Sequence, residues 1–138
     1  PFDGVTPYRL EMQAKLHVRN GKDLYSYWGS MIADELYQET DCIVNLASRE
    51  YSLCVSRYPY PGTRLITCVF GELQNGKIVE KGTLCKMARG EMVRYLAECR
   101  AERPEAMQRF SRLNYAFSQA HSDASTYVFL LGGASCPT

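Results

Sequence analysis

The sequence predicts an α+β domain, in which a mixed β-sheet with a β-hairpin is flanked by helices. Three observations predict this class. Short β-rich segments intermix with segments of helical apolar spacing along the 138 residues. An Asn-Gly pair at residues 75–76 separates two extended segments and is typical of a hairpin turn. The hydrophobic fraction of 46% suffices for one core, so residues 1–138 are expected to form a single domain.

Each element follows from its local pattern. Helices are predicted where apolar side chains recur every three or four residues, and strands where β-branched and aromatic residues cluster between turn signals. The predicted order is an extended segment at residues 8–16, a helix at 22–39, a strand at 42–46, a short helix from 48, a hairpin formed by 64–70 and 77–83, a helix at 85–100, a short helix at 104–110, and strands at 113–117 and 126–131. Residues 1–6 and 132–138 are expected to be flexible ends.

The elements of the first half are bounded by clear signals. The first helix follows the Asn20-Gly21 turn, and its apolar stripe, which includes Trp28, is expected to lie in the core. The next strand is a short apolar run. Ser48 follows it as the predicted N-cap of a short helix, which ends at the turn formed by residues 59–62.

The helix predicted at residues 85–100 is amphipathic. Its apolar residues share one face, Lys86 and Arg94 lie on the opposite face, and Arg89 lies at the border of the apolar stripe. A start at residue 85 places Lys86 and Arg89 in the first turn and a half, where the helix macrodipole disfavours cations. This placement indicates that they meet an anion, which could be nucleic-acid phosphate, a small ligand or a carboxylate of the same protein.

Positive charge is concentrated in one segment of the chain. Residues 77–112 contain nine Lys and Arg against five Glu, whereas the whole chain has 16 Lys and Arg against 15 Asp and Glu. A basic segment on a near-neutral protein is a weaker indication of nucleic-acid binding than a strongly basic chain. The alternative is a solvated helix of mixed charge.

Composition and motif content exclude several other classes. Most of the six cysteines have apolar neighbours and none form a CxxC pair, so we expect buried, reduced thiols and a cytoplasmic protein. The two histidines lie far apart, so neither a metal site nor a cofactor is expected. No segment has the length and apolarity of a membrane span, so no membrane partner is expected. No G-x-S-x-G, P-loop or HExxH motif occurs, so no catalytic residue is assigned.

Several blocks of the chain carry a family resemblance. They are Pro7–Met12, Lys15, Gly21–Tyr25, Trp28-Gly29, Val44–Ser48 with Glu50-Tyr51, Cys68–Phe70 and Cys85–Gly90. In order and spacing, from about residue 7 to residue 129, these blocks resemble the YaaA family of bacterial peroxide stress response proteins. Family members are longer, and the chain resembles their C-terminal half. The N-terminal half of the same protein is therefore an expected partner, and Pro1 at the first position suggests a cut within a longer protein.

The resemblance also implies a function. It implies a mixed sheet surrounded by helices, with a basic cleft, and a role in the response to hydrogen peroxide through lower free iron and less DNA damage. It further implies DNA binding by the intact protein, and only weak binding by this part alone. Met87 replaces a family lysine, and Leu130-Leu131 replaces a cationic pair, so this version is less basic than the family pattern.

Charge and resemblance together define an expected anion-binding set, which contacts DNA phosphates without reading bases. The set is Arg9, Lys15, Lys22, Asn45, Ser48, Lys86, Arg89 and Arg94. Asn45 and Ser48 belong to it because a strand end followed by a helix start favours anions, although they could equally satisfy a turn and cap the helix. For the cations, the alternative is internal pairing with Glu11, Asp23 and Glu50.

Two further alternatives stay open. In the first, the protein is an enzyme that uses the same cleft, either a metal-dependent nuclease or a small-molecule catalyst. The side chains that would converge there are Glu11, Asp23, Glu50 and Lys86. In the second, Cys85 is a thiol sensor, because it lies beside two cations near a helix start. Burial on the apolar stripe would oppose the sensor by raising the thiol pKa.

Overall fold

A computed structural model of the chain describes residues 11–15 and 21–133, and it has the predicted α+β architecture. The helices and strands of the described residues are α1 (Leu24–Trp28), α2 (Met31–Glu39), β1 (Cys42–Asn45), α3 (Arg49–Ser56), β2 (Arg64–Gln74), β3 (Lys77–Val79), α4 (Gly82–Glu98), a 3₁₀ helix (Pro104–Arg109), β4 (Tyr115–Phe117), a second 3₁₀ helix (Gln119–His121) and β5 (Thr126–Leu131). The flexible ends expected at 1–6 and over most of 132–138 lie outside the described residues.

The five strands form one open, mixed sheet. Its order is β1-β2-β5-β4, and β3 pairs only with the far end of β2. β1 and β5 run parallel to β2, with Val44 opposite Ile66 and Tyr127 opposite Cys68. β4 is antiparallel to β5, and β3 returns antiparallel along β2 after the Asn75-Gly76 turn. β2 extends four residues beyond the predicted strand, because its end forms the first arm of the hairpin.

The main core lies between one face of the sheet, α4 and the first 3₁₀ helix. Side chains alternate across a strand, so every second residue of β2 and β5 points into it. Its buried members are Ile66, Cys68, Phe70, Cys85, Ala88, Met92, Met107, Phe110, Tyr115, Tyr127 and Phe129. Phe70 lies at the centre: its ring stacks on Phe129 at 5.0 Å and meets Phe110 edge-on at 5.9 Å, measured between centroids. This core fixes α4 against β2.

A second group of buried residues lies outside this cluster. Met12, Ala33 of α2 and Cys54 of α3 are buried without belonging to it, and so is Val128. Val128 neighbours Phe129 on β5 and therefore points to the opposite face of the sheet. Helices α2 and α3 thus each bury one residue apart from the main core.

The helix predicted at residues 22–39 is divided in two. Gly29 ends α1 with a positive φ of 49°, and α2 begins two residues later. The backbone of Gly29 lies in the left-handed region, which glycine adopts without a Cβ penalty. The prediction that Trp28 lies in the core is wrong: its side chain is 37% exposed. The apolar spacing is present, but this chain leaves the stripe on the surface.

Helix α4 begins one turn earlier than predicted. Gly82, with a φ of 51°, turns the chain from the hairpin into the helix. Lys86 and Arg89 therefore occupy the fifth and eighth helical positions rather than the first turn. The macrodipole acts within the first turn, so the position of these two cations along the helix does not indicate a bound anion. No helix within the described residues is long and apolar enough to cross a bilayer.

Candidate functional site

Arg89 is held inside the protein by an ion pair. Its Nη2 lies 3.3 Å from Oε1 of Glu80, and the arginine side chain is only 15% exposed. Its Nε is buried and has no hydrogen-bond partner among the described residues. Internal pairing was an alternative to anion binding, and Arg89 makes such a pair, although with Glu80 rather than with Glu11, Asp23 or Glu50.

Glu80 connects the sheet to α4. The same Oε1 atom accepts a hydrogen bond from the backbone N–H of Phe70 at 3.1 Å. One carboxylate oxygen therefore satisfies a strand amide and neutralises a largely buried guanidinium on the helix. This arrangement gives Arg89 a structural role, and it leaves the other cations of α4 to face solvent.

Most glutamates of the basic segment are occupied in the same way. Arg112 binds both Glu91 and Glu98, and Glu105 pairs with Arg64 of β2. Within the described residues, Glu102 is the one glutamate of residues 77–112 that makes no ion pair. The six exposed cations of this segment without an ion pair to a described residue are Lys77, Lys86, Arg94, Arg100, Arg103 and Arg109. The segment therefore presents uncompensated positive charge to solvent.

Asn45 is a structural residue at the end of β1. It is 9% exposed; its Nδ2 donates to Oγ1 of Thr67 at 3.2 Å, and its Oδ1 accepts from the backbone N–H of Ala47 at 3.0 Å. Both ends of the amide are thus used to tie β1 to β2 and to shape the turn into α3. Ser48 occupies the predicted N-cap position of α3, but its side chain makes no capping hydrogen bond.

The remaining members of the predicted set are distributed around the chain. Arg9 lies outside the described residues. Lys15 and Lys22 are exposed and make no ion pair with any residue that the structure describes. Asp23, beside Lys22, caps α1 by accepting from the backbone N–H of Ser26 at 2.9 Å. That the cations of the set share one surface stays a prediction.

A polar cavity of about 650 Å³ collects residues from three of the blocks that carry the family resemblance. It is lined by Glu11, Gln13, Tyr25, Arg49, Glu50, Tyr51 and Leu53. Glu50 is held by hydrogen bonds to its backbone and to its side chain. Its backbone carbonyl accepts from the Tyr25 hydroxyl, and its Oε1 accepts from the backbone N–H of Met12 at 3.4 Å. Desolvation raises the pKa of Tyr25 above its usual value, and the charge of Glu50 raises it further.

This cavity corresponds in part to the predicted catalytic alternative. Glu11 and Glu50 line it together, as that alternative required, but Asp23 and Lys86 are not among its lining residues. Among the described residues, no three His, Cys, Asp or Glu side chains are grouped so that they could hold a metal ion. The sequence-based site prediction did not include Tyr25 and Arg49. Both could have been identified by their position, because each lies in or beside a block that carries the family resemblance.

The thiols are mostly buried, as predicted. Cys54, Cys68 and Cys85 are buried, and the five described cysteines are free. Burial raises the pKa of Cys68 to about 12, and the thiol of Cys85 donates to the carbonyl of Gly82 at 3.2 Å. Cys85 therefore lacks the exposed surroundings that a reactive thiol needs. Cys99, at the end of α4, is exposed.

Comparisons with known proteins give the wider context. A sequence model of the family described as peroxide stress protein YaaA matches residues 1–121. A UPF0246 protein of Lachnoclostridium phytofermentans is 52% identical over 132 residues, which cover 96% of this chain and 52% of that protein. A UPF0246 protein of Agathobacter rectalis is 50% identical over 129 residues, covering 94% of this chain and 52% of that protein. The chain spans about half the length of the curated relatives it matches.

Proposed function

The chain belongs to the peroxide stress protein YaaA family, and from this premise we propose that it supplies a DNA-binding surface to the full-length protein during hydrogen peroxide stress. The surface is formed by the exposed cations of α4 and of the segment that follows it. It contacts phosphates and does not read base sequence. By holding DNA, the full-length protein limits the damage that iron and peroxide cause together.

One observation carries this proposal. The acids of residues 77–112 are mostly occupied in internal ion pairs, whereas six cations of the same segment are exposed and make no ion pair with a described residue. Five of these six, all except Lys77, lie on α4 or in the segment that follows it. Internal pairing with a glutamate is the usual alternative to anion binding. Four of the five glutamates of the segment already pair with other arginines, so they do not neutralise these cations. Surface charge that the protein does not neutralise attracts a polyanion and releases its condensed counterions.

The test measures the binding of a fluorescent DNA duplex to the full-length protein over a series of salt concentrations. We expect affinity to fall as salt rises, and the slope of log K against log salt to decrease by about one for each phosphate-contacting cation that is removed. Lys86→Ala and Arg94→Ala are the informative variants. Affinity should fall similarly for duplexes of unrelated sequence.

Lys77→Ala is the matched control, since it removes one exposed positive charge at the hairpin instead of on α4. It should leave the slope close to that of the unchanged protein. A flat salt titration, or an equal effect of all three substitutions, would contradict a phosphate-binding surface on α4.

The cavity that contains Glu11 and Glu50 favours a second candidate function, catalysis. Two carboxylates, a guanidinium and two phenols on one concave surface can position a polar substrate and exchange protons with it. If the full-length protein nicks plasmid DNA in the presence of Mg²⁺, Glu50→Gln should abolish the activity. Glu102→Gln, which changes an exposed glutamate of the basic segment, should retain it. Nicking that survives Glu50→Gln would exclude this role.

A further inference from the structure

The α1–α2 apolar face, defined by Tyr27, Trp28, Met31 and Leu36, is exposed to solvent. The exposed fractions of these four residues are 46%, 37%, 59% and 37%. Ten large hydrophobic residues are exposed in the described part of the chain, and these four lie within ten consecutive positions. Single exposed hydrophobic residues are ordinary, but a contiguous patch marks an interaction surface.

The face also has the shape of a docking surface. Trp28, Met31, Ile32, Glu35 and Leu36 line a groove of about 320 Å³. Glu35 is the single charged residue among the described residues that line the groove, so this lining does not attract a polyanion. The rings of Tyr27 and Trp28 pack edge to face, with their centroids 5.2 Å apart, and form one aromatic wall beside it. The groove therefore suits an apolar protein segment.

The sequence independently identifies this stripe as core. Its apolar residues recur at helical spacing, and the pattern predicts burial for Trp28. In α2, however, the one fully buried residue is Ala33, which is not among the residues that line the groove. The apolar spacing of this stripe is typical of core residues, but the stripe is exposed in this chain. A further layer of polypeptide is therefore needed to bury it.

We propose that the half of the full-length protein lying outside this chain covers the α1–α2 apolar face. The curated relatives are about twice as long as the matched region, so a polypeptide of comparable size is available. The backbone N–H of Leu24 donates to the carbonyl of Met12 at 3.1 Å, which places the described start of the chain against α1. This inference does not depend on DNA binding.

Methionine oxidation in the full-length protein tests the inference. Met31 on this face and Met87 on α4 are similarly exposed in the chain itself, at 59% and 54%. After brief treatment with hydrogen peroxide, peptide mass spectrometry measures the oxidation of each. We expect Met31 to be oxidised at least about fivefold more slowly than Met87, because covered side chains exclude the oxidant. Equal rates would overturn the proposal.

Two additional measurements identify what covers the face. The protection of Met31 should not change when the full-length protein is diluted; protection that disappears on dilution would assign the face to a second copy instead. Met31→Glu should lower the melting temperature of the full-length protein, whereas Met87→Glu should not. Equal melting temperatures for the two variants would also overturn the proposal.

Discussion

At the residue scale, the most consequential contact is the one made by Glu80. Its carboxylate accepts from the backbone of Phe70 in β2 and from the guanidinium of Arg89 in α4. Removing it would leave a strand amide and a largely buried charge without partners. An unsatisfied buried donor costs more than the original hydrogen bond contributed.

We predict that Glu80→Ala destabilises the protein by about 1–3 kcal/mol, because it deprives two donors of their shared acceptor and leaves Arg89 unpaired. Urea unfolding followed by circular dichroism measures the change. Glu102→Ala is the matched control and should stay within about 0.5 kcal/mol of the unchanged protein. Equal stability of the two variants would show that the Glu80 contact contributes nothing.

Asp123 gives a second prediction at this scale, concerning pH. Its Oδ1 accepts hydrogen bonds from the backbone N–H groups of Ser125 and Thr126 and from the Ser125 hydroxyl, and these bonds lower the pKa of the carboxyl below its usual value. A carboxyl whose pKa is lower in the folded state stabilises the fold above the unfolded pKa. This contribution is lost as the pH falls through the folded pKa.

Comparison of Asp123→Asn with the unchanged protein isolates this charge. The unchanged protein should melt at a higher temperature near neutral pH. The difference should shrink as the pH falls below the usual aspartate pKa of 3.8, because the carboxyl then becomes neutral as well. Melting temperatures recorded at a series of pH values check this. A difference that stays constant down to pH 2 would mean that the charge of Asp123 does not stabilise the turn.

At the element scale, packing requires a glycine in the hairpin but not in the middle of α4. A Cβ at Gly71 of β2 would lie 2.7 Å from Cγ2 of Ile78 and 3.0 Å from the carbonyl oxygen of Val79. Gly71 therefore allows β3 to approach β2 closely. Gly90 lies in the middle of α4, and a Cβ there would meet nothing within 4 Å. The space around α4 is open at this point, so Gly90 is not required by packing within the chain.

We therefore predict opposite effects for the two alanine substitutions. Gly71→Ala should destabilise the protein by about 1–3 kcal/mol, since β3 or β2 must shift to make room. Gly90→Ala should stabilise it by about 0.5–1 kcal/mol, since alanine is the better helix former. Thermal unfolding of both variants measures the effects. Destabilisation by Gly90→Ala would show that another part of the full-length protein approaches α4 at that residue.

At the scale of the whole molecule, the chain divides into a well-packed region and a less covered one. β5 lies between β2 and β4, and its residues Tyr127–Phe129 are all buried. In contrast, α1 has no buried residue, and α2 has one. Local stability follows burial, so the two regions are expected to open with different free energies.

Hydrogen exchange checks this division. In the 138-residue chain, the amides of β2 and β5 should exchange at least about 100-fold more slowly than those of α1 and α2. In the full-length protein the same sheet amides serve as the internal control, and the contrast should decrease if α1 and α2 are covered. Uniform protection of all elements in the 138-residue chain would contradict the division.

The local elements were largely predictable, because local signals determine them. The Asn75-Gly76 turn, the run of apolar and β-forming residues in β5 and the helical spacing of α4 each act over a few residues, and each prediction is confirmed. The predictions failed where a distant contact or a backbone requirement decided the outcome. Gly29 divides a predicted helix, and Gly82 starts α4 one turn early. The apolar spacing on both sides of Gly29 predicts one helix, and Gly82 falls within the predicted second arm of the hairpin, so neither glycine is identified as a helix boundary by its neighbours alone.

The candidate site was only partly predictable for the same reason. The residue types were identified, but the partner of a charged side chain depends on which elements the fold places side by side. By itself, the sequence determined the fold class, the family, the basic segment and the presence of an apolar stripe near Trp28, since all of these are properties of order and composition. The tertiary structure alone decided that Arg89 pairs with Glu80, that Glu11 and Glu50 share a cavity, and that the stripe is exposed. Ion pairing, cavity formation and burial depend on distances between residues far apart in the chain, and only the folded structure sets those distances.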